Sequence, residues 1–137
     1  MKRTAFAALL AAALIAGCGE DETDTEDPKT PSAPSAEAAK QDSEAKTQAA
    51  QLSTEVEACF VDAQDYSSCK EPPDSTAELG GNPGQVEVTE ANAASYTITA
   101  KSQTGNTFTV EKSDGGAVER TCNDSSEPDG GCNDGKW

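Results

Sequence analysis

The chain contains no histidine, and arrangements built on Ser-His-Asp, Cys-His or histidine-bound metal fall with it. Aromatic side chains make up only 4% of its 137 residues, little material for a sugar-binding or substrate-binding cleft. Basic residues are scarce too: 10 Lys and Arg stand against 25 Asp and Glu, a formal charge of −15. Phosphate binding needs a basic face, so nucleic acid is no partner, and anionic headgroups should repel the chain. No C-x-x-C spacing occurs among the 5 cysteines, which speaks against a zinc or redox site. No cofactor is called for. The one strongly apolar stretch, residues 5–17, would make a helix of only ~20 Å against a hydrocarbon core of ~30 Å, too short to span.

That stretch follows Lys2 and Arg3, the charged-then-apolar order of a secretory signal. Ala16 and Gly17 are small enough for a protease to approach, and Cys18 then offers a thiol at the membrane surface. Ile15-Ala16-Gly17-Cys18 resembles the lipobox of bacterial lipoproteins. The resemblance implies a signal peptide over residues 1–17, diacylglycerol joined to Cys18 by a thioether, palmitate among the acyl chains, and cleavage before Cys18. Two acyl chains at ~0.8 kcal/mol per buried methylene anchor stably, where one would be marginal. Gly19 rather than Asp follows the cysteine, so the inner-membrane retention signal of some lipoproteins is not expected. The expected location is the outer face of the cell membrane, or the outer membrane of a diderm host. The plainer alternative is an ordinary signal-peptidase site beside an ordinary cysteine.

Removal of residues 1–17 leaves 8 basic and 25 acidic side chains, a net charge of −17 that favours solubility and says nothing of fold. Residues 18–35 form an acidic, Pro/Ser/Thr-rich tether without apolar periodicity, expected to be disordered and to reach at most ~60 Å. Its acids could instead gather calcium. Prolines, missing glycine turns and the lack of EF-hand spacing argue against that.

A helix is expected over residues 36–65, with Ser35 as N-cap, Glu37 in the first turn, and Ala38, Ala45, Ala49, Leu52, Val56, Cys59 or Phe60, and Ala63 along one face. Alanine supplies too little area to hold a core, so the first half is expected to project or fray while residues 52–64 dock. Thr54 and Glu57 could also form a capping box and start a separate helix. Beyond Tyr66, the Pro72-Pro73, Gly80-Gly81 and Asn82-Pro83-Gly84 sequences mark loop. Alternating strands are then expected within residues 85–121, with turns at residues 103–106 and 113–116, giving an antiparallel meander. The fold class is α+β, one N-terminal helix on a small sheet.

Cys59, Cys69, Cys122 and Cys132 are an even number in an exported chain, and disulfides are the natural reading. Three connectivities are open. Local pairing, Cys59 with Cys69 and Cys122 with Cys132, is favoured because each pair brackets a loop-forming stretch, and each closure is worth roughly 2.7 kcal/mol in the chain-entropy model.

Val56-Glu57-Ala58-Cys59-Phe60, Asp65-Tyr66, Cys69, the run Tyr96 to Ser102, Gly105 to Val110, and Arg120-Thr121-Cys122 through Cys132 to Trp137 resemble the globular half of type IV pilin-like proteins. The resemblance covers about the last eighty residues and implies a pilin-like domain over 36–137, with a long helix on an antiparallel sheet and disulfides fixing the loop after the helix and the C-terminal loop. Pilins begin with a short leader and a long apolar helix. Here a lipobox and an acidic tether stand in their place, so packing into a filament core is not expected.

Three functional readings follow. The first is a non-enzymatic, surface-displayed interaction module with an envelope or pilus protein as partner. The second is a calcium- or small-ligand-binding lipoprotein, with Asp124, Asp129 and Asp134 as candidate ligands, against which stands a solvated acidic loop held by Cys122 and Cys132. The third is a hydrolase using two carboxylates in an apolar cleft, for which the sequence offers no cleft. An apolar patch on the sheet would favour the first. Trp137 either anchors a partner or covers the edge of its own core.

Overall fold

Helix α1 runs from Ala36 to Ala63, 28 residues or ~42 Å, and lies across one face of a four-stranded antiparallel sheet. The computed structural model describes residues 36–123 and 131–137. The strands are β1 (Val86–Ala91), β2 (Tyr96–Lys101), β3 (Thr107–Lys112) and β4 (Val118–Asn123), in the order β1-β2-β3-β4. This is the α+β fold expected, a helix on a meander. The last strand continues two residues past the expected limit at 121.

Alternation decides which side of each strand is buried. In β2, Tyr96, Ile98 and Ala100 face the helix, and in β3 Phe108 and Val110 join them; all five are almost fully buried. Thr97, Thr99, Thr107, Thr109 and Glu111 take the outward face. The sheet's outer surface is therefore polar, not the apolar patch that the sequence left open. Short turns set the register. Gly105, at φ +94°, and Gly116, at φ +80°, adopt left-handed backbone that a side chain would strain, and each donates its N–H back three residues, to Ser102 and Ser113. A bulge at Thr89 interrupts the pairing of β1 with β2.

The helix differs from expectation along its length in three ways, and at its end in a fourth. Its first half docks: Ala45 and Ala49 are buried alongside Leu52 and Val56. Small side chains let the helix approach the sheet closely, and the sheet's own Phe108 and Val110 supply the area that alanine lacks. The second difference lies at Asp42, which is 1% exposed on this stripe. Its carboxylate accepts hydrogen bonds from Thr104 Oγ1 at 2.5 Å and Asn106 Nδ2 at 2.9 Å, so the β2–β3 turn tethers the helix through a buried polar clasp. Third, no second helix starts at Thr54. Its hydroxyl bonds back to the Ala50 carbonyl at 3.1 Å within a continuous helix, and Glu57 is turned to the sheet.

The helix stops at Ala63, two residues before the expected end. Gln64 takes φ +56°, and its side-chain amide donates to the carbonyls of Phe60 and Val61, satisfying acceptors that a helix end leaves open. Asp65 then caps a short 3-10 turn, Tyr66–Ser68, by accepting from the Ser67 N–H at 2.9 Å.

Candidate functional site

Both favoured disulfides form: Cys59 is bonded to Cys69 and Cys122 to Cys132, with Cα separations of 5.9 and 6.0 Å. The first ties the helix end to the loop after it; the second ties β4 to the C-terminal turn. Cys18 lies outside the described residues, as does the tether.

A dense polar cluster sits where α1 meets the sheet. Glu57 accepts from Lys112 Nζ at 2.8 and 2.9 Å, from Tyr66 Oη at 2.9 Å and from Tyr96 Oη at 3.0 Å, while Ser53 Oγ lies 2.8 Å from the same Tyr96 hydroxyl. Phe60 stacks on Tyr66, and Tyr66 meets Tyr96 edge to face. Burial alone would push the Glu57 carboxyl up, but the bonds from Lys112, Tyr66 and Tyr96 together outweigh it and hold the group below its ordinary value. The hydrogen bond to Glu57 holds Lys112 above its own. Burial raises the Tyr96 phenol, with Ser53 opposing.

A lysine, a carboxylate and two phenols are the parts of acid–base chemistry. Here they are spent on one another. Four hydrogen bonds fill the lone-pair positions of the Glu57 carboxylate, which leaves none for a substrate. A depression of about 400 Å³ opens beside Tyr96 and Lys112, lined by polar residues including Glu90, Ser95, Glu111 and Asp114. The cluster serves as a joint between helix and sheet. A second joint fixes the loop before β1, where Glu55 accepts from Ser75 Oγ at 2.5 Å and from the Thr76 N–H at 3.1 Å.

The sheet has two outer edges: among the described residues β1 is paired on its outer side only at Val86, by a bridge to Leu79, and β4 forms the other edge. Among the described residues that edge is paired only near Thr121, by a bridge to Lys136, with the Cys122 N–H donating to the Gly135 carbonyl. Ala117, Val118, Glu119, Arg120, Lys136 and Trp137 line a groove there of about 760 Å³. Val118 is 53% exposed, a large apolar side chain on an edge strand. Trp137 covers the edge of its own core: its ring packs edge to face on Phe108 and its Nε1 donates to the Thr121 carbonyl at 2.8 Å, while the Arg120 guanidinium lies over it at 5.2 Å.

Of the candidate calcium ligands, Asp124 and Asp129 lie outside the described residues. Asp134 is an exposed turn residue at φ +50°. Among the described residues no three acids or cysteines are grouped to hold a metal ion, and no helix is long and apolar enough to cross a membrane. The Glu57–Lys112 joint and the Asp42 clasp were missed from sequence. The available signal was a charged residue on or beside the apolar stripe, at Asp42 between Ala38 and Ala45 and at Glu57 next to Val56. No protein-family model, no curated protein and no solved structure matches the chain. Fold and surface define a small disulfide-stapled α+β domain whose β4 edge is mostly unpaired among the described residues.

Proposed function

We propose that the protein is a lipid-anchored interaction module, a pilin-like domain held outside the cell by acyl chains on Cys18 and presenting the β4 edge to an envelope or pilus protein. One observation carries the reading. The two disulfides use Cys59, Cys69, Cys122 and Cys132, so Cys18, in its lipobox setting, is the one thiol left for acylation. Disulfides themselves persist outside the reducing cytosol. The β4 edge suits recognition because unpaired backbone groups, the exposed Val118 and the Arg120-capped Trp137 lie side by side, the mixture that strand-adding partners use. The function is non-enzymatic on this reading, since the acid–base groups around Glu57 are saturated internally. Detergent phase partitioning tests the anchor. The parent chain should follow the detergent and a Cys18→Ala variant should move to the aqueous phase; a variant that stays with the detergent contradicts the proposal.

A further inference from the structure

We propose that the acidic segment of residues 20–27 docks in cis on this domain's own basic ridge, formed by Lys46, Arg120, Lys136 and Trp137 along β4. Lys46 and Arg120 meet no carboxylate among the described residues, as Lys70 and Lys101 also do not; what sets Lys46 and Arg120 apart is that they lie against two aromatic rings in contact with each other. Lys46 Nζ reaches the Gly131 carbonyl at 3.3 Å and lies 5.1 Å from the Phe108 ring. Phe108 and Trp137 rings are 5.9 Å apart, and Arg120 sits 5.2 Å from Trp137, so the cations are strung along one aromatic pair. Lys136 is paired with Glu119 at 2.9 Å, but both side chains are more than half exposed and free to exchange partners.

The segment has the complementary pattern. Glu20, Asp21, Glu22, Asp24, Glu26 and Asp27 are six acids in eight residues. In an extended conformation Glu20, Glu22, Asp24 and Glu26 share one side at intervals of about 6.8 Å, a continuous anionic face suited to a row of cations beside an unpaired strand edge. Reach permits it. Residues 28–35 extend up to ~27 Å from Ala36, and Lys46 lies ~15 Å along the helix from the same point. A second copy fits this edge poorly, because antiparallel β4-to-β4 pairing centred at either residue sets Glu119 against Glu119 or Arg120 against Arg120. If Cys18 is the anchor, as proposed above, docking draws the domain toward the membrane and release lets it project; the docking itself does not depend on the anchor.

Trp137 is the only tryptophan, so its fluorescence reads the ridge directly. The purified full chain should show an emission maximum that shifts by several nanometres as salt rises toward 1 M, where the screening length falls to ~3 Å. Replacing all six acids by Gln or Asn should place the maximum at its high-salt position at every salt, with the near-ultraviolet circular dichroism of the fold unchanged. Arg120→Gln should remove the salt response as well. The shift should be independent of protein concentration. Equal spectra for the parent and the six-acid variant at low salt overturn the proposal. A shift that grows with concentration, or one abolished instead by replacing Asp124, Glu127 and Asp129, overturns it too, by assigning the ridge to another molecule or to the neighbouring loop.

Discussion

Glu57 and Lys112 stand 55 residues apart in the chain and yet form a two-point ion pair, with Nζ 2.8 and 2.9 Å from the two carboxylate oxygens. The pair joins the C-terminal part of α1 to the end of β3, and Tyr66 and Tyr96 complete it from the loop and from β2. One carboxylate thus fixes the helix against three separate parts of the molecule. Because Glu57 is 38% exposed and Lys112 20%, solvent screens the pair, and its worth is set by the shared hydrogen bonds more than by bare attraction.

Glu57→Gln should lower the unfolding free energy by about 1 kcal/mol at pH 7, after allowance for that screening. The pH dependence follows from the direction of the shifts. Glu57 is held below its ordinary 4.5, so its contribution is present above that pH and is lost as pH falls through the lower folded-state value. Lys112 is held above its ordinary 10.5, so its contribution is complete below that pH and is lost as pH rises through the higher folded-state value. Urea titrations at a series of pH values should show a shallower acid decline in the variant. A residual decline should persist from Glu55, whose hydrogen bonds from Ser75, Thr76 and Gln51 outweigh its burial in the same direction.

Asp42→Ala removes the acceptor of both Thr104 Oγ1 and Asn106 Nδ2 in a buried site. The cost should be about 2–3 kcal/mol, since two donors lose a charged acceptor in a buried site. Asp42→Asn retains one acceptor oxygen and should cost less. Equal losses for the two would show that side-chain bulk, rather than hydrogen bonding, holds the turn to the helix.

Ala49→Leu should destabilise the domain by about 1–3 kcal/mol, because the close approach of α1 to the sheet leaves no room for extra methylenes. The same change at Ala39, exposed on the first turns of the helix, should be within about 0.5 kcal/mol of neutral. Thermal melts of the two variants make the comparison.

Removing either disulfide as a pair of Cys→Ala changes should lower stability by roughly 2.7 kcal/mol. The Cys122/Cys132 change should also expose the β4 edge further and loosen Trp137, visible as a red shift of its emission. The Cys59/Cys69 change should leave that emission in place.

The strands were legible because period-two alternation needs only neighbouring residues, and Tyr96, Ile98, Ala100, Phe108 and Val110 all follow it. Local disulfides were legible for the same reason, each closing a short loop. What was hidden depends on distant residues. Alanines at 45 and 49 carry too little area to announce a core position by themselves, and Asp42 reads as a solvent-facing acid until Thr104 and Asn106 arrive from the β2–β3 turn. Glu57 looked like half of a capping box with Thr54, a local reading that Lys112, Tyr66 and Tyr96 override from across the fold. The ridge of Lys46, Arg120 and Trp137 likewise exists only after β3, β4 and the helix have come together.

Intact-mass spectrometry of the chain purified from a membrane fraction bears most directly on the anchored-module account. The mass should equal that of residues 18–137, less the hydrogens of two disulfides, plus a diacylglycerol-bearing modification that tandem fragmentation places on Cys18. A chain that still begins at Met1, or one that begins at an unmodified Cys18, would contradict it.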